Sequence, residues 1–146
     1  MGQIFTIYLD FDGTLVEHEY PKIGRCNFGC VEIVKKLQEA GHKVLLNTMR
    51  CEFKDGTLEK AEHWLKNSWM VVVDRDLRDS FQLDHIPSTE RKHSPGYWDW
   101  DFFKANDLIM IDDQTRDIPL KRAVMTNGFM VDWEALDKQF QEHDVY

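Results

Sequence analysis

Residues 4–9 read Ile, Phe, Thr, Ile, Tyr, Leu and run without polar alternation into Asp10, Phe11, Asp12, Gly13 and Thr14. A strand that is apolar on both faces must be covered on both, which implies a parallel sheet flanked by helices. Ligands of such sheets sit beyond the carboxyl ends of the strands, where Asp10 is expected. Two carboxylates two residues apart repel each other unless a cation intervenes, and a hard divalent ion such as Mg²⁺ is the natural remedy. Gly13 allows a tight turn, and Thr14 offers it an oxygen or a backbone N–H. Asp and Gly are also the ordinary residues of turns, so the same letters read as a plain strand end.

The chain continues with the pattern such a sheet demands. Asn27 is a candidate N-cap for a helix over 28–40 in which Val31, Val34 and Leu37 repeat, and Gly41 is placed to stop it. Lys43 to Asn47 forms a second buried strand, giving a βαβ unit. Asp55 or Thr57 caps a second helix with Leu58, Ala61 and Leu65 on one face. Trp69 to Val73 reads as a third strand and Leu108 to Ile111 as a fourth, which ends in Asp112 and Asp113. Between them Ser94 and Pro95 open a helix carrying Tyr97, Trp98, Trp100, Phe102 and Phe103. Its rings either pack on the sheet or stack a base or sugar. A fifth strand comes from 123–125 or 129–131, on either side of the Asn127-Gly128 turn signal. Asp132 caps a last helix with Leu136 and Phe140 inward, and 142–146 reads as a solvated acidic tail.

The expected fold is therefore α/β: a three-layer, doubly wound, mainly parallel five-stranded sheet in one domain over residues 1–146. The segments 16–25 and 74–96 are too short to hold a large cap domain. His18, His85 and His93 lack metal-ligand spacing and read as surface residues.

With 18 basic and 26 acidic residues the formal charge is −8, which does not favour nucleic acid or anionic membranes as partners. No apolar segment is long enough to cross a bilayer, and no secretory leader is evident. The cysteines, Cys26, Cys30 and Cys51, are odd in number and read as reduced thiols, so the expected location is cytoplasmic.

The stretch from Asp10 to Leu15 resembles the first motif of the haloacid dehalogenase-like (HAD) superfamily of phosphatases and phosphotransferases. That resemblance implies that Asp10 is the nucleophile and Asp12 the acid and base, with Mg²⁺ held by Asp10 and the Asp12 carbonyl. It makes Thr48, just past the second strand, the hydroxyl that bonds the phosphoryl group. The run from Lys104 to Asp113 is similar to the closing motifs of small capless members. There Lys104 neutralises phosphate and orders Asp10, and Asp112 completes the metal site. Lys92 stands as a substitute for Lys104, and Asp113 as a partner of that lysine or a ligand through water. Arg50, at the same sheet edge, either grips phosphate with its fork or pairs with an acidic neighbour.

The expected activity is Mg²⁺-dependent hydrolysis of a small phosphorylated substrate, a nucleotide or sugar phosphate, through an aspartyl-phosphate. Phosphotransfer to another alcohol, or a non-catalytic phospho-acceptor that keeps the Mg²⁺ pocket, stands as the alternative.

Overall fold

The computed structural model describes residues 2–67, 84–85 and 96–146. Its centre is the apolar run already noted, as strand β1 (Thr6–Leu9). The chain then forms helix α1 (Cys30–Glu39), strand β2 (Lys43–Leu46), a 3-10 helix (Met49–Glu52) and helix α2 (Thr57–Asn67). Strand β3 (Asp84–His85), helix α3 (Trp100–Asn106) and strand β4 (Leu108–Ile111) follow, then β5 (Leu120–Arg122), β6 (Phe129–Val131) and α4 (Trp133–Glu142).

Four strands form a parallel sheet in the order β3-β2-β1-β4. β1 lies between β2 and β4, with Leu9 beside both Leu46 and Ile111. This register sets Asp10, Asn47 and Asp112 side by side at the carboxyl edge, where Asp10 N–H donates to Ile111 O and Asn47 N–H to Leu9 O. Helices are needed on such a sheet because its side chains are apolar. Val31, Val34 and Leu37 of α1 and Phe103 of α3 are buried with Ile7, Leu9, Leu46, Ile109 and Ile111. The mixed α/β architecture with a parallel sheet is thus present.

Several expectations change. Among the described residues the parallel sheet has four strands, not five, because 129–131 pairs antiparallel with 120–122 in a separate hairpin. Asn27 does not cap α1. The N-cap is Gly29, at φ 89° and without a side-chain bond, and Asn27 is used elsewhere. The helix before β4 is capped by Asp99, whose carboxylate accepts from Asp101 N–H and Phe102 N–H. Ser94, Pro95 and the expected strand over 69–73 lie outside the described residues. Gly41 at φ 95° does end α1, and Asp132 does cap the last helix through Ala135 N–H.

The end of the chain is not a solvated tail. Val145 is buried, its carbonyl accepts from His42 Nε2 at 2.6 Å, and His42 Nδ1 accepts from Phe5 N–H at 3.0 Å. Tyr146 donates its hydroxyl proton to Asp137 and lies under Lys36 Nζ, 5.3 Å from the ring centroid.

Of the aromatic residues around α3, Trp98, Trp100 and Phe103 are packing elements, while Tyr97 and Phe102 are exposed. Trp98 and Trp100 meet Phe103 edge-on, and both indole N–H groups donate to Gln139 Oε1 of α4 at 2.7 and 2.8 Å. Among the described residues no helix is long and apolar enough to cross a membrane.

Candidate functional site

After Leu9 the chain turns sharply. Leu15 N–H donates to Phe11 O at 2.9 Å and Gly13 N–H to Val16 O at 2.7 Å. Gly13 sits at φ 80°, and a Cβ there would lie 2.3 Å from Asp113 Oδ2. Only glycine lets the turn and the Asp113 side chain share this space. Thr14, fully buried, staples the two loops: its hydroxyl donates to Asp10 Oδ2 at 3.2 Å and accepts from Asp113 N–H at 3.2 Å.

Asp10, Asp112 and Asp113 each bring a carboxylate oxygen within 4.8 Å of the others. Burial pushes the Asp10 carboxyl well above the usual carboxylate range, and the charges of Asp112 and Asp113 add to that. Three converging carboxylates are a hard, all-oxygen donor set, which suits a divalent cation of the Mg²⁺ type. A cation there would reverse the electrostatic cost of ionising Asp10.

The structure separates Asp12 from this cluster. Its two oxygens accept from Arg50, Oδ2 from Nε at 2.8 Å and Oδ1 from Nη2 at 2.7 Å. The remaining guanidinium protons go to the carbonyls of Lys22 (2.9 Å), Thr57 (3.1 Å) and Pro21 (3.4 Å). All five Arg donors are used, and the group lies 5.1 Å from the ring centroids of Phe11 and Tyr20. Arg50 is fully buried. Of the two roles weighed for it, the ion pair is the one formed; its fork is not free for phosphate. The Asp12 side chain is thus engaged by Arg50, while Asp113 joins Asp10 and Asp112 in the carboxylate cluster.

Thr48 lies two residues past Leu46, at the same edge, and is buried. Its hydroxyl accepts from Arg50 N–H at 3.2 Å and starts the 3-10 helix.

Lys104 is not brought to the site. It sits in the last turn of α3, which runs into the start of β4 through Asp107. It is exposed, and its carbonyl accepts from Gln3 Nε2 at 2.6 Å. Asp112 follows the other end of β4, roughly 13 Å away along a four-residue strand. A lysine at the end of a helix that precedes a parallel strand belongs to the amino edge, a signal already present in the order of the elements. Lys92 lies outside the described residues.

Two polar residues brace the turn: Asn27, read from the sequence as a helix cap, and Glu17, assigned no role from the sequence. Asn27 donates through Nδ2 to Thr14 O at 2.9 Å and to Val131 O at 2.7 Å. Trp133 Nε1 donates to the same Thr14 carbonyl at 2.9 Å, and Val131 N–H to Gly13 O at 3.0 Å. Glu17, fully buried, accepts through Oε1 from Met125 N–H at 2.7 Å and Thr126 N–H at 3.1 Å. The β5-β6 hairpin is thereby fastened at its base and its tip to the turn that follows β1.

No family model matches the chain, and no curated protein matches it. A solved structure described as a conserved protein coded by a locus from Bacteroides thetaiotaomicron is similar over 95% of this chain and 91% of its own, with a TM-score of 0.52 and 24% identity. At that identity the likeness concerns the fold alone.

Proposed function

We propose that the chain is a Mg²⁺-dependent phosphomonoester hydrolase that works through an aspartyl-phosphate on Asp10. The observation that carries this reading is the convergence of Asp10, Asp112 and Asp113 at the carboxyl edge, with Asp12 held apart in a bidentate pair with Arg50. One carboxylate is thus placed among potential cation ligands while another is kept out of that cluster. Phosphoryl transfer needs that division of labour between a nucleophile and a proton carrier.

Asp10, Asp112 and Asp113 would hold the cation, which supplies charge neutralisation for the nucleophile and for the phosphate oxygens. Asp10 Oδ attacks phosphorus and the bond to the leaving oxygen breaks; for Asp12 to protonate that oxygen, as the resemblance implies, its carboxyl must leave the Arg50 fork and carry a proton. Water then attacks the aspartyl-phosphate as Asp12 takes its proton, releasing phosphate and restoring Asp10. Thr48, at the same sheet edge, would donate its hydroxyl proton to a phosphoryl oxygen. The positive charge expected from Lys104 would be supplied by the cation.

The test is multiple turnover of aryl and metabolite phosphates with Mg²⁺, using Asp10→Asn as the blank. Loss of turnover with the fold intact is expected, and turnover near wild type in Asp10→Asn would exclude Asp10 as nucleophile. Stoichiometric labelling from a phosphodonor without turnover would favour the phospho-acceptor alternative, and phosphate recovered on an added alcohol the phosphotransferase.

A further inference from the structure

The loop that leads from the nucleophile turn into α1 carries two sulfurs that the reaction above leaves unused. Cys26 faces Val16 on an antiparallel rung and is partly exposed, whereas Cys30 opens α1 and is buried. The two thiols flank a single peptide rung. Cys26 Sγ lies 3.9 Å from Asn27 O, Cys30 Sγ lies 3.7 Å from Leu15 O, and Asn27 N–H donates to Leu15 O at 2.8 Å. A hydrogen bond from Cys30 lowers the Cys26 pKa, against burial and the charge of Glu32 and with help from Arg25. Burial and the same contact push the Cys30 thiol up. A partly exposed sulfur with a lowered pKa, four residues before a buried one with a raised pKa, is the arrangement of an attacking and a resolving cysteine.

We propose that Cys26 and Cys30 are a hydroperoxide-oxidisable pair that closes to an internal disulfide beside Asn27. The Cys26 thiolate attacks a peroxide oxygen, the O–O bond breaks, and the departing oxygen leaves as water after taking a proton, giving a sulfenic acid. Cys30 then loses its proton and attacks the Cys26 sulfur; hydroxide departs and is protonated to a second water as the S–S bond forms. Two thiols are oxidised by two electrons and the peroxide is reduced by two. A thiol reductant reverses the bond by exchange.

The consequence reaches the turn because Asn27 lies between the two cysteines and holds Thr14 O, the carbonyl that Trp133 Nε1 also bonds. Closing the disulfide re-seats Asn27, and the Trp133 indole N–H reports it. Any effect on turnover rests on the hydrolase reading; the sulfur chemistry does not.

The experiment treats the full chain with limiting hydrogen peroxide and follows it by intact mass, peptide mapping and the Trp133 indole resonance. The expected product has lost two hydrogens in a Cys26–Cys30 peptide, keeps Cys51 as thiol, shifts the Trp133 signal and reverts with dithiothreitol. Cys26 is expected to alkylate about tenfold faster than Cys51. Cys30→Ser should leave a dimedone-trapped sulfenic acid on Cys26, and Cys26→Ser should leave Cys30 unoxidised. Oxidation falling first on Cys51, equal alkylation rates for Cys26 and Cys51, or Cys26 running to sulfinic acid with Cys30 still free would overturn the proposal. A disulfide that forms and moves Trp133 in a chain without phosphatase turnover would instead reject the hydrolase reading.

Discussion

A buried arginine with every donor occupied is a different object from one waiting for substrate. Arg50 binds together Asp12, the loop at Pro21 and Lys22, and the first turn of α2. Removing it leaves the Asp12 carboxylate buried without its partner, a change that costs about 3–5 kcal/mol. Arg50→Met is therefore expected to lower the unfolding free energy, read from urea denaturation, by that amount. The double variant with Asp12→Leu should recover part of the loss, because both charges are then gone. Equal stabilities of wild type and Arg50→Met would show that the pair contributes nothing. Arg50→Lys is no rescue, since one ammonium has three donors and no fork. Gly13 makes a second residue-scale prediction. In Gly13→Ala the new Cβ falls on the Asp113 carboxylate at a backbone angle that disfavours side chains. Far-ultraviolet dichroism should remain native while the thermal shift produced by Mg²⁺ is lost; retention of that shift would remove Asp113 from the cation site.

Between elements, the seam of α3 against α4 is closed by Gln139 under two indoles and by His143 stacked on Trp100 at 4.2 Å. Burial lowers the His143 pKa, and Lys104 lowers it further. A histidine whose folded value lies below its unfolded one favours the native state while neutral. Its contribution is present above the unfolded value, 6.5, and is lost as pH falls through the folded value. The melting temperature of wild type relative to His143→Phe should therefore decline from about pH 8 to about pH 5; a pH-independent difference would refute the assignment. Strands β1, β2 and β4 were legible in the sequence as short apolar runs ending in polar residues, with a core position at every second residue or more. Gly41 and Asp132 were legible because helix ends need specific backbone and side-chain chemistry. The destinations of Asn27 and Glu17 were not: their partners lie at Val131, Met125 and Thr126, about a hundred residues on, and no local pattern encodes such a bond. Lys104 was misplaced by weighing residue type without asking to which end of β4 its helix delivers it.

At the scale of the whole molecule the excess of acid is not spread evenly, since Asp10, Asp112 and Asp113 crowd one edge of the sheet. Crowding and burial raise the Asp10 pKa in the folded chain above its ordinary value of 3.8. A carboxyl with a raised folded value stabilises the native state below its unfolded pKa, and that contribution is lost as pH climbs through the folded value. In the presence of a chelator, stability should thus fall as pH rises above about 4 through the folded Asp10 value. Mg²⁺ acts in the opposite sense: it binds the ionised cluster of the native state, so its stabilisation grows with pH as protons cease to compete. The measurement is the thermal midpoint against pH with chelator and with Mg²⁺. The two curves should converge at low pH and separate as pH rises, and Asp112→Asn should shrink the gap. Curves that run parallel at all pH values, or a gap unchanged in Asp112→Asn, would mean that the three carboxylates do not hold the ion.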